Sequence, residues 1–179
     1  MKILVGGGCK NGKSFYAQSL AQSLAGGGEL FYVATMAPCD DEDQARILRH
    51  RQEREGWGFL TLEQPTDISG CLLHCGKHST LLLDSTTALL ANEMFPPQGA
   101  MDLSASDRVT KELLELCHGV GNIVLVSDYI YSDAAHYDTV TEAYRRGLAA
   151  IDRTLAAHCD VVCEVAYGNQ IFHKGGVAR

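Results

Sequence analysis

Residues 7–14 read GGCKNGKS and stand between the apolar run KILV and a segment of helical periodicity. They match G-x-x-x-x-G-K-[ST] in the setting that pattern requires, a strand before and a helix after. The glycines let the backbone curl so that its N–H groups converge on an anion, and the following helix adds the positive end of its dipole. Strand, loop and helix must therefore be consecutive and tightly joined, which fixes the first unit of an α/β sheet. Gly7, Gly8, Cys9, Lys10, Asn11 and Gly12 are expected to ring phosphate oxygens. Lys13 is expected to bring a point charge to the outer phosphates, and Ser14 a hydroxyl for Mg2+. The loop fixes binding of a nucleoside triphosphate, not the reaction.

Apolar β-type runs recur at Lys2–Val5, Leu30–Thr35, Thr80–Asp84, Asn122–Ser127 and Val161–Ala166. They are nearly continuous in hydrophobicity, as strands buried on both faces are. Helical segments are expected at Lys13–Leu24, Asp41–Arg54, Thr87–Met94, Ser106–Cys117 and about Tyr137–Ala157. Alternation of this kind predicts a three-layer P-loop NTPase-like α/β domain with a mostly parallel central sheet. Gly168-Asn169 between Val161–Tyr167 and Gln170–His173 predicts a C-terminal antiparallel hairpin. Asp84, closing the run STLLLD, is the expected acid for a magnesium ion on bound phosphates.

A chain of 179 residues with 46% hydrophobic and 21% charged residues fits one domain, taken as residues 1–179. The net charge of -7 argues against a general nucleic-acid or anionic-membrane binder. The absence of an apolar stretch of about eighteen residues or of a signal-type N-terminus predicts no membrane span and a cytoplasmic location. Seven cysteines without framework spacing, one of them Cys9 in the phosphate loop, suggest reduced thiols.

The second expected helix opens with Asp40, Asp41 and Glu42, which suit a helix N-terminus, and then turns basic. Arg46, His50 and Arg54 recur every fourth residue and share a face. Two readings stay open from the residues alone. The helix is a solvated charged surface, or the arginines face phosphate oxygens and keep His50 unprotonated, leaving a ring nitrogen free to attack phosphorus.

The blocks VGGGCKNGKS, YVATM, RILRHRQEREGW, the following Thr-Leu-Glu, and LLLDSTTALLANEMF, in this order and spacing, resemble the bifunctional adenosylcobinamide kinase/adenosylcobinamide-phosphate guanylyltransferase family of cobalamin synthesis. The resemblance covers about the first half of the chain. It implies phosphorylation of adenosylcobinamide with ATP or GTP, followed by transfer of GMP from GTP through a guanylylated His50. It further implies nucleotide contacts from Ala34, Thr35, Met36, Arg51, Gln52, Glu53, Glu63 and Asp84, a corrinoid acceptor, and a homotrimer. Glu63 would accept hydrogen bonds from the guanine N1–H and amino group.

In the second half, Asp128-Tyr129-Ile130-Tyr131 replaces the family's Asn-Glu-Val-Gly, and Asp152-Arg153 replaces an Asn-Gln pair. The corrinoid side and the kinase step are the parts these changes touch, with Asp128 and Asp133 as candidate replacement carboxylates. A P-loop kinase of another small alcohol without a covalent histidine, and a catalytically inactive nucleotide-binding relative, are the competing readings. Cys71, His74, Cys75 and His78 lack the paired spacing of a structural zinc site. Trp57 reads as a packing anchor ahead of a base-stacking residue.

Overall fold

The computed structural model describes residues 1–37, 48, 52 and 54–177. Seven strands form one sheet: β1 (Lys2–Gly7), β2 (Leu30–Ala34), β3 (Leu60–Glu63), β4 (Thr80–Asp84), β5 (Asn122–Asp128), β6 (Val161–Ala166) and β7 (Asn169–Lys174). Their order is β3-β2-β4-β5-β1-β6-β7. All neighbouring pairs are parallel except β6 with β7. The helices are α1 (Lys13–Ala25), α2 (Thr86–Met94), α3 (Ala105–Gly119) and α4 (Thr139–His158), with a 3-10 turn at Ile68–Leu73. The expected helix Asp41–Arg54 falls almost wholly outside the described residues.

Alternation along the inner strands sorts their side chains onto two faces. Ile3, Val5, Tyr32, Leu82, Val124 and Val126 pack with Ala17, Leu20 and Ala21 of α1. On the other face Leu4, Phe31, Val33, Leu81, Leu83, Ile123 and Leu125 meet α2, α3 and α4 through Leu89, Val109, Leu113, Leu148 and Ile151. Both faces are covered, which is why these strands read as unbroken apolar runs. The three-layer architecture and the closing hairpin are as the sequence implies. The hairpin turns one residue early, at Tyr167 (φ 52°) and Gly168 (φ 73°), the left-handed pair that suits a two-residue connection.

Two elements escape the sequence reading, β3 and the 3-10 turn. β3 is a four-residue edge strand whose residues are exposed apart from half-buried Leu62, too short to show a period. The other described boundaries agree with expectation to within two residues.

Topology places the site. The chain leaves β1 through α1 on one face toward β2, and leaves β5 through α4 on the opposite face toward β6. The carboxyl ends of β1 and β5 thus flank the point where connections diverge, the usual crevice for ligands of an open parallel sheet. Replacing Leu125, fully buried in the central strand β5, with Ala should lower unfolding stability by about 2–5 kcal/mol in a urea titration with little change in slope. A variant as stable as the parent would contradict this packing.

Candidate active site at the carboxyl edge of the sheet

The phosphate loop turns out of β1 at Gly7, and α1 starts at Lys13 with Gly12 at its N-cap in a left-handed conformation (φ 90°). No side chain caps α1, so its first N–H groups point into the loop with nothing of its own N-cap across them, an arrangement that suits an anion. Gly7 has no room for a side chain, since a Cβ there would lie 2.7 Å from the Val165 carbonyl oxygen. Asn11 explains the closeness: its Nδ2 donates to Val165 O, tying the loop to β6, while its Oδ1 accepts from Lys13 N at 3.3 Å.

Lys13 is only 6% exposed. Its ammonium donates to Gly8 O at 3.2 Å and pairs with the Asp128 carboxylate at the end of β5. Asp128 is opposite Gly7 in the β1–β5 register, and its own N–H donates to Thr87 Oγ1 at 2.9 Å. A buried ammonium needs such partners, because leaving water uncompensated is expensive.

Asp84 ends β4, in register with Ala34 of β2, and Ala34 is in turn opposite Glu63 of β3. Gly7, Asp128, Asp84, Ala34 and Glu63 therefore close their strands along one edge of the sheet. Tyr32 OH donates to Asp84 Oδ2 at 3.2 Å, and the guanidinium of buried Arg54 stacks 3.5 Å from the Tyr32 ring centroid. Next to them, the fully buried Thr35 hydroxyl accepts from Ser85 N and donates to Ser85 O, both at 2.8 Å. Asn92 Nδ2 donates to Thr35 O at 2.7 Å. Met36 follows, half-buried, on the same loop. Ser14 and Asp84 offer hard oxygen donors, and magnesium on a nucleotide needs only one or two protein oxygens beside phosphate and water.

His50, Arg46, Arg51 and Glu53 lie outside the described residues. Gln52 is exposed. Trp57 packs edge-on against Phe15 with ring centroids 5.6 Å apart. Cys71 is fully buried in the core and Cys75 Sγ donates to its carbonyl at 3.0 Å.

Sequence reasoning missed the Tyr32–Asp84 and Arg54–Tyr32 contacts. A signal was present: a tyrosine in an otherwise apolar buried strand needs a partner for its hydroxyl, and Tyr32 shares a strand face with Ala34. It missed as well a polar cluster beneath Asp128. Ser127 Oγ and Tyr131 OH both donate to Asp152 Oδ2, at 2.7 and 2.8 Å. Asp152 Oδ1 is buried without a hydrogen-bond partner. Burial pushes the Asp152 carboxyl above its usual range, with the nearby Asp128 charge acting in the same direction and the two hydroxyls opposing.

A carboxyl with a raised folded-state pKa binds its proton more tightly when folded, so its ionisation destabilises the fold as pH rises above about 4. Asp152→Asn should remove that slope. The melting temperature of the variant relative to the parent should rise between about pH 4 and pH 7. A difference independent of pH would contradict the assignment.

Similarity to known proteins agrees with this geometry. The chain is 28% identical over 181 residues to the bifunctional adenosylcobalamin biosynthesis protein CobU of Escherichia coli (strain K12), covering 94% of this chain and 97% of that protein. It is 26% identical over 185 residues to the protein of the same description from Salmonella typhimurium, with the same coverage, 94% and 97%. Among solved structures it resembles the flagellar accessory protein FlaH of Methanocaldococcus jannaschii (TM-score 0.50, 13% identity, 98% of this chain and 78% of that one). A second solved structure, an ATPase domain, is similar too (TM-score 0.56, 9% identity, 97% and 76%); both likenesses concern the fold alone. A phosphate loop and an acid on the next strand but one thus meet in a chain whose residues 3–172 fit the model of cobinamide kinase / cobinamide phosphate guanyltransferase, and the chain belongs to that family, CobU.

Proposed function

We propose that the chain transfers GMP from GTP to adenosylcobinamide phosphate through a guanylylated His50, and that it phosphorylates adenosylcobinamide with ATP or GTP. The observation that carries the reading is the shared sheet edge: a phosphate loop with a buried lysine, and Asp84 two strands away, in a chain of this family. The triphosphate lies in the loop of Gly7–Ser14, with Ala34, Thr35 and Met36 beside it. Ser14 Oγ and the Asp84 carboxylate would hold a magnesium ion, which would supply charge neutralisation on the phosphates.

A ring nitrogen of His50 attacks the α-phosphorus; the N–P bond forms as the bond to pyrophosphate breaks. Lys13 offsets the charge growing on the leaving group, and Arg46 and Arg54 are the further cationic candidates. The resulting phosphoramidate holds activated GMP until a phosphate oxygen of the acceptor displaces the imidazole. Glu63, at the end of β3, accepts hydrogen bonds from the guanine N1–H and amino group, which adenine lacks in that arrangement. Tyr32 holds Asp84 in place by its hydroxyl.

Incubation with magnesium and GTP labelled at the α-phosphate should leave acid-labile label on the protein after denaturation, and His50→Asn should abolish it. Unlabelled wild-type protein would overturn the covalent step and favour a simple P-loop kinase or a nucleotide binder. In parallel, Lys13→Ala should slow adduct formation by about 100-fold or more, the scale of losing one charged stabiliser of a leaving group. An unaffected rate would place the triphosphate elsewhere.

A further inference from the structure

We propose, on the basis of the kinase half of that reading, that Asp128 is the proton acceptor for the alcohol hydroxyl in phosphoryl transfer. Three observations carry this. Asp128 closes β5 directly opposite Gly7, where the phosphate loop begins. Its carboxylate pairs with the Lys13 ammonium, the group that reaches the outer phosphates in loops of this kind. Its side chain keeps 25% of its surface open, while the Thr87 hydroxyl pins its backbone N–H at 2.9 Å.

When a triphosphate fills the loop, the ammonium is drawn to phosphate oxygens, and the carboxylate it leaves stands at the terminal-phosphate end. Four other carboxylates among the described residues have different commitments. Asp84 receives the Tyr32 hydroxyl and ends β4, between β5 and β2. Asp133 accepts from Arg145 at 2.9 Å, from Tyr137 OH at 3.0 Å and from Ala135 N at 3.1 Å. Asp138 caps α4 through Val140 N and Thr141 N. Asp152 is buried and already accepts two hydroxyls.

The step balances without further reagents. The alcohol oxygen forms a bond to the γ-phosphorus, the β,γ-bridging P–O bond breaks, and its electron pair leaves on the nucleoside diphosphate. The hydroxyl proton passes to Asp128 and later to water. Guanylyl transfer uses an ionised phosphate as nucleophile, which has no proton to lose, so the carboxylate serves the kinase step specifically.

The test is steady-state phosphorylation of adenosylcobinamide by the full chain with magnesium and ATP, comparing wild type, Asp128→Asn and Asp128→Glu. Asp128→Asn should lower kcat by about 100-fold to 10,000-fold, with the ATP affinity unchanged or tighter because Lys13 has lost a competing partner. Asp128→Glu, which keeps a carboxylate, should recover part of the loss. Unchanged kcat in Asp128→Asn overturns the proposal. Joint loss of turnover and ATP binding overturns it too, by making the carboxylate a structural support of the loop. A silent wild type removes the kinase reading itself, and the two failures differ in which protein is silent.

Discussion

The buried ammonium of Lys13 is the interaction on which the site depends. A lysine so enclosed needs acceptors, and the fold provides the Gly8 carbonyl from its own loop and the Asp128 carboxylate from the neighbouring strand. Loop and strand are brought together by the β1–β5 register, and that register is specified by the apolar faces of both strands. A one-residue slip would turn Ile3, Val5, Val124 and Val126 toward the wrong helices. The hydrophobic pattern of the sheet and the charge pairing of the site are thus two aspects of one alignment.

The same edge collects groups from five strands that are far apart in sequence. Parallel connection makes this economical, because every crossover returns the chain so that strands end on the same side. Small polar contacts then fix the details: Asn11 ties the loop to β6, Thr35 exchanges two hydrogen bonds with Ser85, and Tyr32 reaches Asp84. Each is a side chain satisfying a backbone or carboxylate group at a strand end, where ladder bonds run out.

Most of the architecture was legible because its signals are local. The phosphate loop states its own geometry, and strands covered on both faces appear as unbroken apolar runs. β3 was not legible, since a short exposed edge strand has no run to display. Asp84 could be chosen from its place at the end of β4, and Asp128 was already a candidate carboxylate, but its pairing with Lys13 depends on strand order, and nothing in a linear sequence says that β5 lies beside β1. The Asp152 cluster was hidden for the same reason: Ser127, Tyr131 and Asp152 meet only once α4 is laid across the sheet. His50 rests on its spacing from Arg46 and Arg54 and on the family's order of blocks.

In the proposed function one triphosphate occupies the loop at Gly7–Ser14 and displaces the Lys13–Asp128 pairing. A crystal structure with magnesium and a non-hydrolysable GTP analogue measures this directly. The expected result is phosphates wrapped by the loop, the Lys13 ammonium on outer phosphate oxygens and off Asp128, and the His50 ring within reach of the α-phosphorus. A nucleotide bound elsewhere, or one in the loop with Lys13 still held by Asp128, would contradict it.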